Sequence, residues 1–76
     1  MFKTKKIKLQ GINEPAEFVK EANLVKGEVN LHRGVYCVDG KSLLGVMAIF
    51  EAVEPVTVEY PEKAEFFEEF LGQFEV

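Results

Sequence analysis

Apolar residues in this chain recur either every second position or every third to fourth, and each spacing dictates an element. Ile7 and Leu9 alternate with Lys6, Lys8 and Gln10 as far as Gly11, which predicts a short strand with the apolar pair facing inward. From Pro15 the spacing changes. Ala16, Phe18, Val19 and Ala22 form a stripe at helical intervals, with Pro15 suited to the first helical position and Asn13 or Glu14 ahead of it as cap, so a helix of two or three turns is expected before Gly27. Glu28 to Arg33 alternates again with Val29 and Leu31 inward, and Gly34 turns the chain into Val35-Tyr36-Cys37-Val38, a hairpin.

Asp39-Gly40 ends that strand, and Ser42 opens Leu43-Leu44-Gly45-Val46-Met47-Ala48-Ile49-Phe50, a helix that is apolar almost all round. Such a helix is either covered on more than one side or displays apolar surface. Val56 to Tyr60 makes a fourth strand between Pro55 and Pro61, and Glu62 to Phe74 carries Ala64, Phe67, Phe70, Leu71 and Phe74 at helical intervals. The order is β-α-β-β-α-β-α. It predicts an α+β domain, a four-stranded mainly antiparallel sheet with three helices on one face. Phe18, Val19, Val46, Phe67, Phe70 and Leu71 are the expected core, and the Phe-rich last helix reads as core rather than as a ligand box.

At 76 residues the chain can enclose one core only, so residues 1–76 are expected to be a single domain. Hydrophobic residues at 47% and charged ones at 29% exclude a disordered tail and a disulfide scaffold. The net charge of -4 argues against nucleic acid as a partner, because that binding rests on neutralising phosphates. The lysines at positions 3, 5, 6 and 8 are expected mostly on solvent rather than around a phosphate.

Cys37 is the single cysteine, with no metal-site spacing around it, and is expected half-buried in its strand; no metal or cofactor is expected. His32 is the single histidine, and alternation points it with Asn30 to the outer sheet face. No apolar run reaches the roughly 18 residues of a membrane span, and no signal-peptide core follows the basic start, so a cytoplasmic protein without membrane partners is expected.

Element order and two strings together resemble HPr, the histidine-containing phosphocarrier family of the bacterial sugar phosphotransferase system. Lys41-Ser42-Leu43-Leu44-Gly45-Val46-Met47 is similar to the start of the family's second helix in Gram-positive bacteria, with Val29-Asn30-Leu31 at matching distance before it. Gly11-Ile12-Asn13-Glu14-Pro15-Ala16 lies where the family has Gly, an aliphatic residue, the phosphorylated His, a variable residue, then Arg, Pro and Ala. The resemblance spans nearly the whole chain and implies an HPr-like open-faced sandwich.

Ile12, Asn13, Glu14 and Pro15 make a degenerate phosphocarrier loop. Asn13 falls at the histidine position if one residue is deleted after it; counting back from Pro15 puts Ile12 there and Glu14 in place of the arginine. Neither alignment supplies a nucleophile, because phosphoryl carriage needs an imidazole nitrogen and an amide has none to offer. Glu14 adds a negative charge where the family clamps an anion at a helix N-terminus. The chain is therefore expected to be no enzyme and to have no catalytic residue.

In the relatives that Ser42 resembles, the serine is phosphorylated by an ATP-dependent HPr kinase, and the modified form engages a regulator of carbon metabolism. Phosphate there would sit at a helix N-terminus beside Lys41, though Ser is also a common plain N-cap. Leu43, Leu44 and Met47 match the family's exposed docking patch for protein partners, or else pack beneath a loop or the last helix. The implied function is an HPr-like regulatory or adaptor protein whose partners include HPr kinase, phosphotransferase-system proteins or carbon-regulation proteins. The alternatives are a phosphocarrier using another residue, or a scaffold repurposed for unrelated protein interactions, its oligomeric state open.

Overall fold

In the computed structural model, residues 1–76 are all described, and the elements are β1 (Phe2–Ile7), α1 (Glu14–Ala22), β2 (Asn30–Arg33), β3 (Tyr36–Asp39), α2 (Leu43–Ile49), β4 (Val56–Pro61) and α3 (Glu65–Gly72). The sheet order is β1-β4-β2-β3, and all three strand pairs are antiparallel. This is the expected α+β open-faced sandwich, with its predicted element order.

The β2–β3 hairpin turns through Gly34 and Val35, since Arg33 pairs with Tyr36 across it. Gly34 has φ +61, a left-handed conformation that suits glycine at the first central position of such a turn. In β4 the alternation is complete: Val56, Val58 and Tyr60 are buried against the helices, while Thr57 and Glu59 face the uncovered side.

Fourteen buried apolar residues form one core cluster, with no buried polar or charged side chain among them. Phe18, Val46, Phe67 and Leu71 are fully buried as expected; Val19 and Phe70 pack at its margin. Phe67 is the centre of the aromatic part. Its ring lies 5.6 Å from Phe18, 5.9 Å from Tyr60 and 6.0 Å from Phe70, so it joins α1, β4 and α3.

Several boundaries and exposures depart from the sequence reading. β1 begins at Phe2 and ends at Ile7, because its register with β4 runs from Phe2 opposite Pro61 to Ile7 opposite Val56. That register turns Lys3 and Lys5 toward the helix side. Lys3 Nζ lies 3.3 Å from Glu68 and Lys5 Nζ 3.4 Å from Glu75, and the Lys5 side chain keeps only 21% of its surface in water. The long stems cover apolar surface while the ammonium ends meet carboxylates. α1 stops at Ala22, well before Gly27, where the Asn23 amide donates to the Val19 carbonyl at 2.8 Å and to the Lys41 carbonyl at 3.3 Å. Cys37 is exposed rather than half-buried, because it pairs with His32 on the face that no helix covers. α3 spans Glu65–Gly72, shorter than expected at both ends, and Phe66 is 46% exposed on its outer side.

Phe67→Ala is expected to cost about 3–5 kcal/mol in urea denaturation, while Phe66→Ala stays within about 1 kcal/mol of the parent. Burial, with Glu68 beside the hydroxyl, pushes the Tyr60 pKa from 10.0 up to about 12. The folded state therefore favours the protonated phenol, and this contribution is complete below pH 10 and lost as pH rises through about 12. Denaturation midpoints across that range should fall for the parent and fall less for Tyr60→Phe.

Candidate functional site

The chain enters α1 through Ile12 and Asn13, both exposed, Ile12 at 94%. Asn13 occupies the N-cap position yet makes no side-chain cap bond. Glu14 does the local work instead, folding its carboxylate back onto the preceding loop. The Gln10 N–H donates to Glu14 Oε1 at 2.7 Å and the Gly11 N–H at 2.9 Å. These bonds, Gly11 first, hold the Glu14 carboxyl below its usual 4.5. Pro15 follows in the first helical turn, where no N–H is needed.

Ser42 caps α2. Its backbone is extended, with φ -101 and ψ 118, and its Oγ accepts the Gly45 N–H at 3.3 Å. The preceding turn is held by the Lys41 N–H on Asp39 Oδ1 at 2.9 Å and the Ser42 N–H on the Asp39 carbonyl at 3.1 Å. Lys41 is not beside Ser42 at its charged end. Its Nζ donates to the Val25 carbonyl at 2.8 Å, which ties the start of α2 to the segment after α1.

Val46 and Ile49 are the only fully buried residues of α2, and they point into the core. Leu43 is 44% exposed, Leu44 82% and Met47 51%, so the helix displays apolar surface rather than packing it beneath a loop. Asn23 meets Lys41 at the end of α1, and Phe50 lies 6.3 Å from Phe18 further back along it. The loop at residues 12–15 and Ser42 are therefore set at opposite ends of the α1–α2 pair.

His32 stands on the outer face of β2, with Nε2 3.6 Å from Glu59 Oε1 on β4. Sequence spacing could not reveal that acidic neighbour, because the β2–β4 pairing joins residues 27 apart in number. No group of three or more His, Cys, Asp or Glu is gathered where it could hold a metal ion, and no helix is long and apolar enough to cross a membrane.

No protein-family model matches the chain, and no curated protein does. Among solved structures it is similar to the phosphocarrier protein HPr from Bacillus anthracis str. Ames, with a TM-score of 0.68 and 23% identity over 100% of this chain and 96% of that one. The fold is that of HPr. HPr-C-His from Thermoanaerobacter tengcongensis is also similar, with a TM-score of 0.70 and 19% identity over 96% of this chain and 88% of that one. At these identities the likeness fixes the HPr-like fold alone.

The Glu14 carboxylate contributes most when ionised, so its support of the loop is complete above its usual pKa and fades as pH falls through the lowered value. Glu14→Gln should speed amide exchange at Gln10 and Gly11 and cost about 0.5–1 kcal/mol at pH 7. The difference from the parent should shrink in acid. An undiminished difference at low pH would remove the carboxylate from this role.

Proposed function

We propose that this chain is an HPr-like regulatory or adaptor protein that docks partner proteins through α2 and is switched by phosphorylation of Ser42, without carrying phosphate on histidine. The observation that supports it is the exposed run of Leu43, Leu44 and Met47 directly after an exposed capping serine. Leu and Met together make an adaptable surface, suited to a partner rather than to solvent. Its partners belong to the set that the resemblance names: HPr kinase, phosphotransferase-system proteins and carbon-regulation proteins, in the cytoplasm.

A phosphoryl group on Ser42 adds nearly two negative charges at the first turn of α2, which contains no acidic residue to oppose them. The modification trades the Oγ cap for a larger anion at the same helix end and changes the charge at the rim of the apolar patch. Phosphocarriage is disfavoured by the loop itself. Ile12, Asn13, Glu14 and Pro15 offer no imidazole, and the Gln10 and Gly11 N–H groups are already engaged by Glu14.

Incubation with HPr kinase and ATP should add one phosphate to the parent and none to Ser42→Ala, read as intact mass. The alanine variant loses a cap worth about 1 kcal/mol, so its denaturation midpoint is measured alongside to confirm that it is folded. Leu44→Asp should keep the parent midpoint yet slow the phosphorylation several-fold. Failure of the parent to gain mass while authentic HPr does so in the same assay would overturn the Ser42 reading.

A further inference from the structure

The two edges of the sheet are finished differently. β1 and the residue after it carry Lys3, Lys5, Lys6 and Lys8, and the C-terminal residues pair along the outer edge. The Lys8 N–H donates to the Phe74 carbonyl at 3.0 Å and the Val76 N–H to the Lys6 carbonyl at 3.1 Å, with Ile7 bridged to Glu75. Charge and cover are the usual means of closing a strand edge to other chains. β3 has neither. It reads Tyr-Cys-Val-Asp, without lysine or proline, and follows Val35 at 95% exposure.

The ladder decides which β3 groups are free. The Gly40 N–H donates to the Val29 carbonyl at 2.7 Å, so Val29 and Gly40 form a hydrogen-bonded pair. Alternation makes Leu31–Val38 and Arg33–Tyr36 the next such pairs and leaves Asn30–Asp39 and His32–Cys37 as the other kind. The Cys37 N–H and C=O and the Asp39 N–H therefore point away from β2. Beside them, on the helix side, opens a cleft of about 280 Å³ lined by Arg33, Tyr36, Val38, Ala48 and Ile49. Leu44, one turn before Ala48 on the same flank of α2, continues the apolar surface.

We propose that the β3 edge docks an extended segment of a partner protein, which adds to the sheet as a fifth, antiparallel strand. Main-chain donors and acceptors in strand order are matched by another extended backbone, and the cleft beside them takes alternate side chains. The register defines the segment. Its residues opposite Val38 and Tyr36 point toward α2 and are β-branched or aromatic, and the one opposite the exposed Asp39 is a cation.

α2 disfavours a second copy of this chain as the occupant. That helix packs against β3 at Gly45, where a Cβ would come 3.2 Å from the Val38 Cβ, and reaches β2 where Arg33 Nε donates to the Ile49 carbonyl at 3.0 Å. Pairing β3 with its own copy about a two-fold axis would bring two α2 helices to the same face of the seam, where a single added strand brings only side chains. The inference goes beyond the α2 and Ser42 reading and does not rest on it.

The probe is the blocked pentapeptide Lys-Val-Thr-Ile-Thr, whose first residue faces Asp39, added to nitrogen-15-labelled, unphosphorylated protein under reducing conditions. Exchange of the Cys37 and Asp39 amides should slow several-fold at millimolar peptide. The same peptide N-methylated at its third residue, which faces Cys37, should leave them unchanged. Cys37→Pro, which removes an outward N–H and leaves the β2 ladder intact, should abolish binding. Equal protection by both peptides, or none by either, would overturn the proposal, and because that comparison uses the unaltered protein it holds even where the proline variant unfolds.

Discussion

The contact between Phe18 and Phe67 is the one on which the arrangement of layers depends. Three helices cover one sheet face, and α1 and α3 are separated in sequence by three strands, β2, β3 and β4, and by α2. The two rings meet edge to face at 5.6 Å, with Tyr60 of β4 beneath Phe67 and Phe50 at the end of α2 against Phe18. Remove that meeting point and each helix retains only its own stripe on the sheet, which for helices of seven to nine residues is little. A short amphipathic helix owes its stability to tertiary burial, so the pin that unites the three is also what makes each one helical.

The position of α2 follows from a second constraint, the close approach at Gly40. A Cβ there would meet Val29 at 2.6 Å, so only glycine lets the chain leave β3 hard against β2 and turn at once into Asp39's hydrogen bonds. Ser42 is thereby fixed as the residue at which the backbone becomes helical, and α2 is laid back over its own strand. The cap, the exposed patch and the accessible strand edge are thus three products of one turn. Burying Val46 and Ile49 beneath a helix of seven residues leaves Leu43, Leu44 and Met47 without a neighbour to cover them.

Much of this was legible in the sequence. Period two and period 3.6 identified every element and their order, the glycine turn of the hairpin and the Ser42 cap, because all of these are local. What was not legible depends on partners distant in the chain. β1 starts at Phe2 because β4 is long enough to pair with it there, and Lys3 and Lys5 turn toward α3 because that register demands it. Cys37 was expected half-buried, yet its face of the sheet carries no helix. The Glu59 beside His32 comes from β4. At the candidate site the sequence singled out the residues at 12–15 and at 42–47 as places to look, but the exposure of α2 and the engagement of Lys41 with Val25 follow only from packing.

Glu14 shows how a site can be read by what already occupies it. A helix N-terminus preceded by a glycine loop presents N–H groups that favour an anion. In this chain the Gln10 and Gly11 donors of that loop are satisfied by the protein's own carboxylate, whose lowered pKa is the electrostatic signature of the match. An external phosphate would have to displace a tethered anion, which competes at high effective concentration and brings its charge with it. The same bonds order the loop, so it is held in one conformation by the group that would obstruct a phosphoryl ligand. Anion chemistry is thus engaged internally at the start of α1, while Leu43, Leu44 and Met47 of α2 stay exposed to solvent.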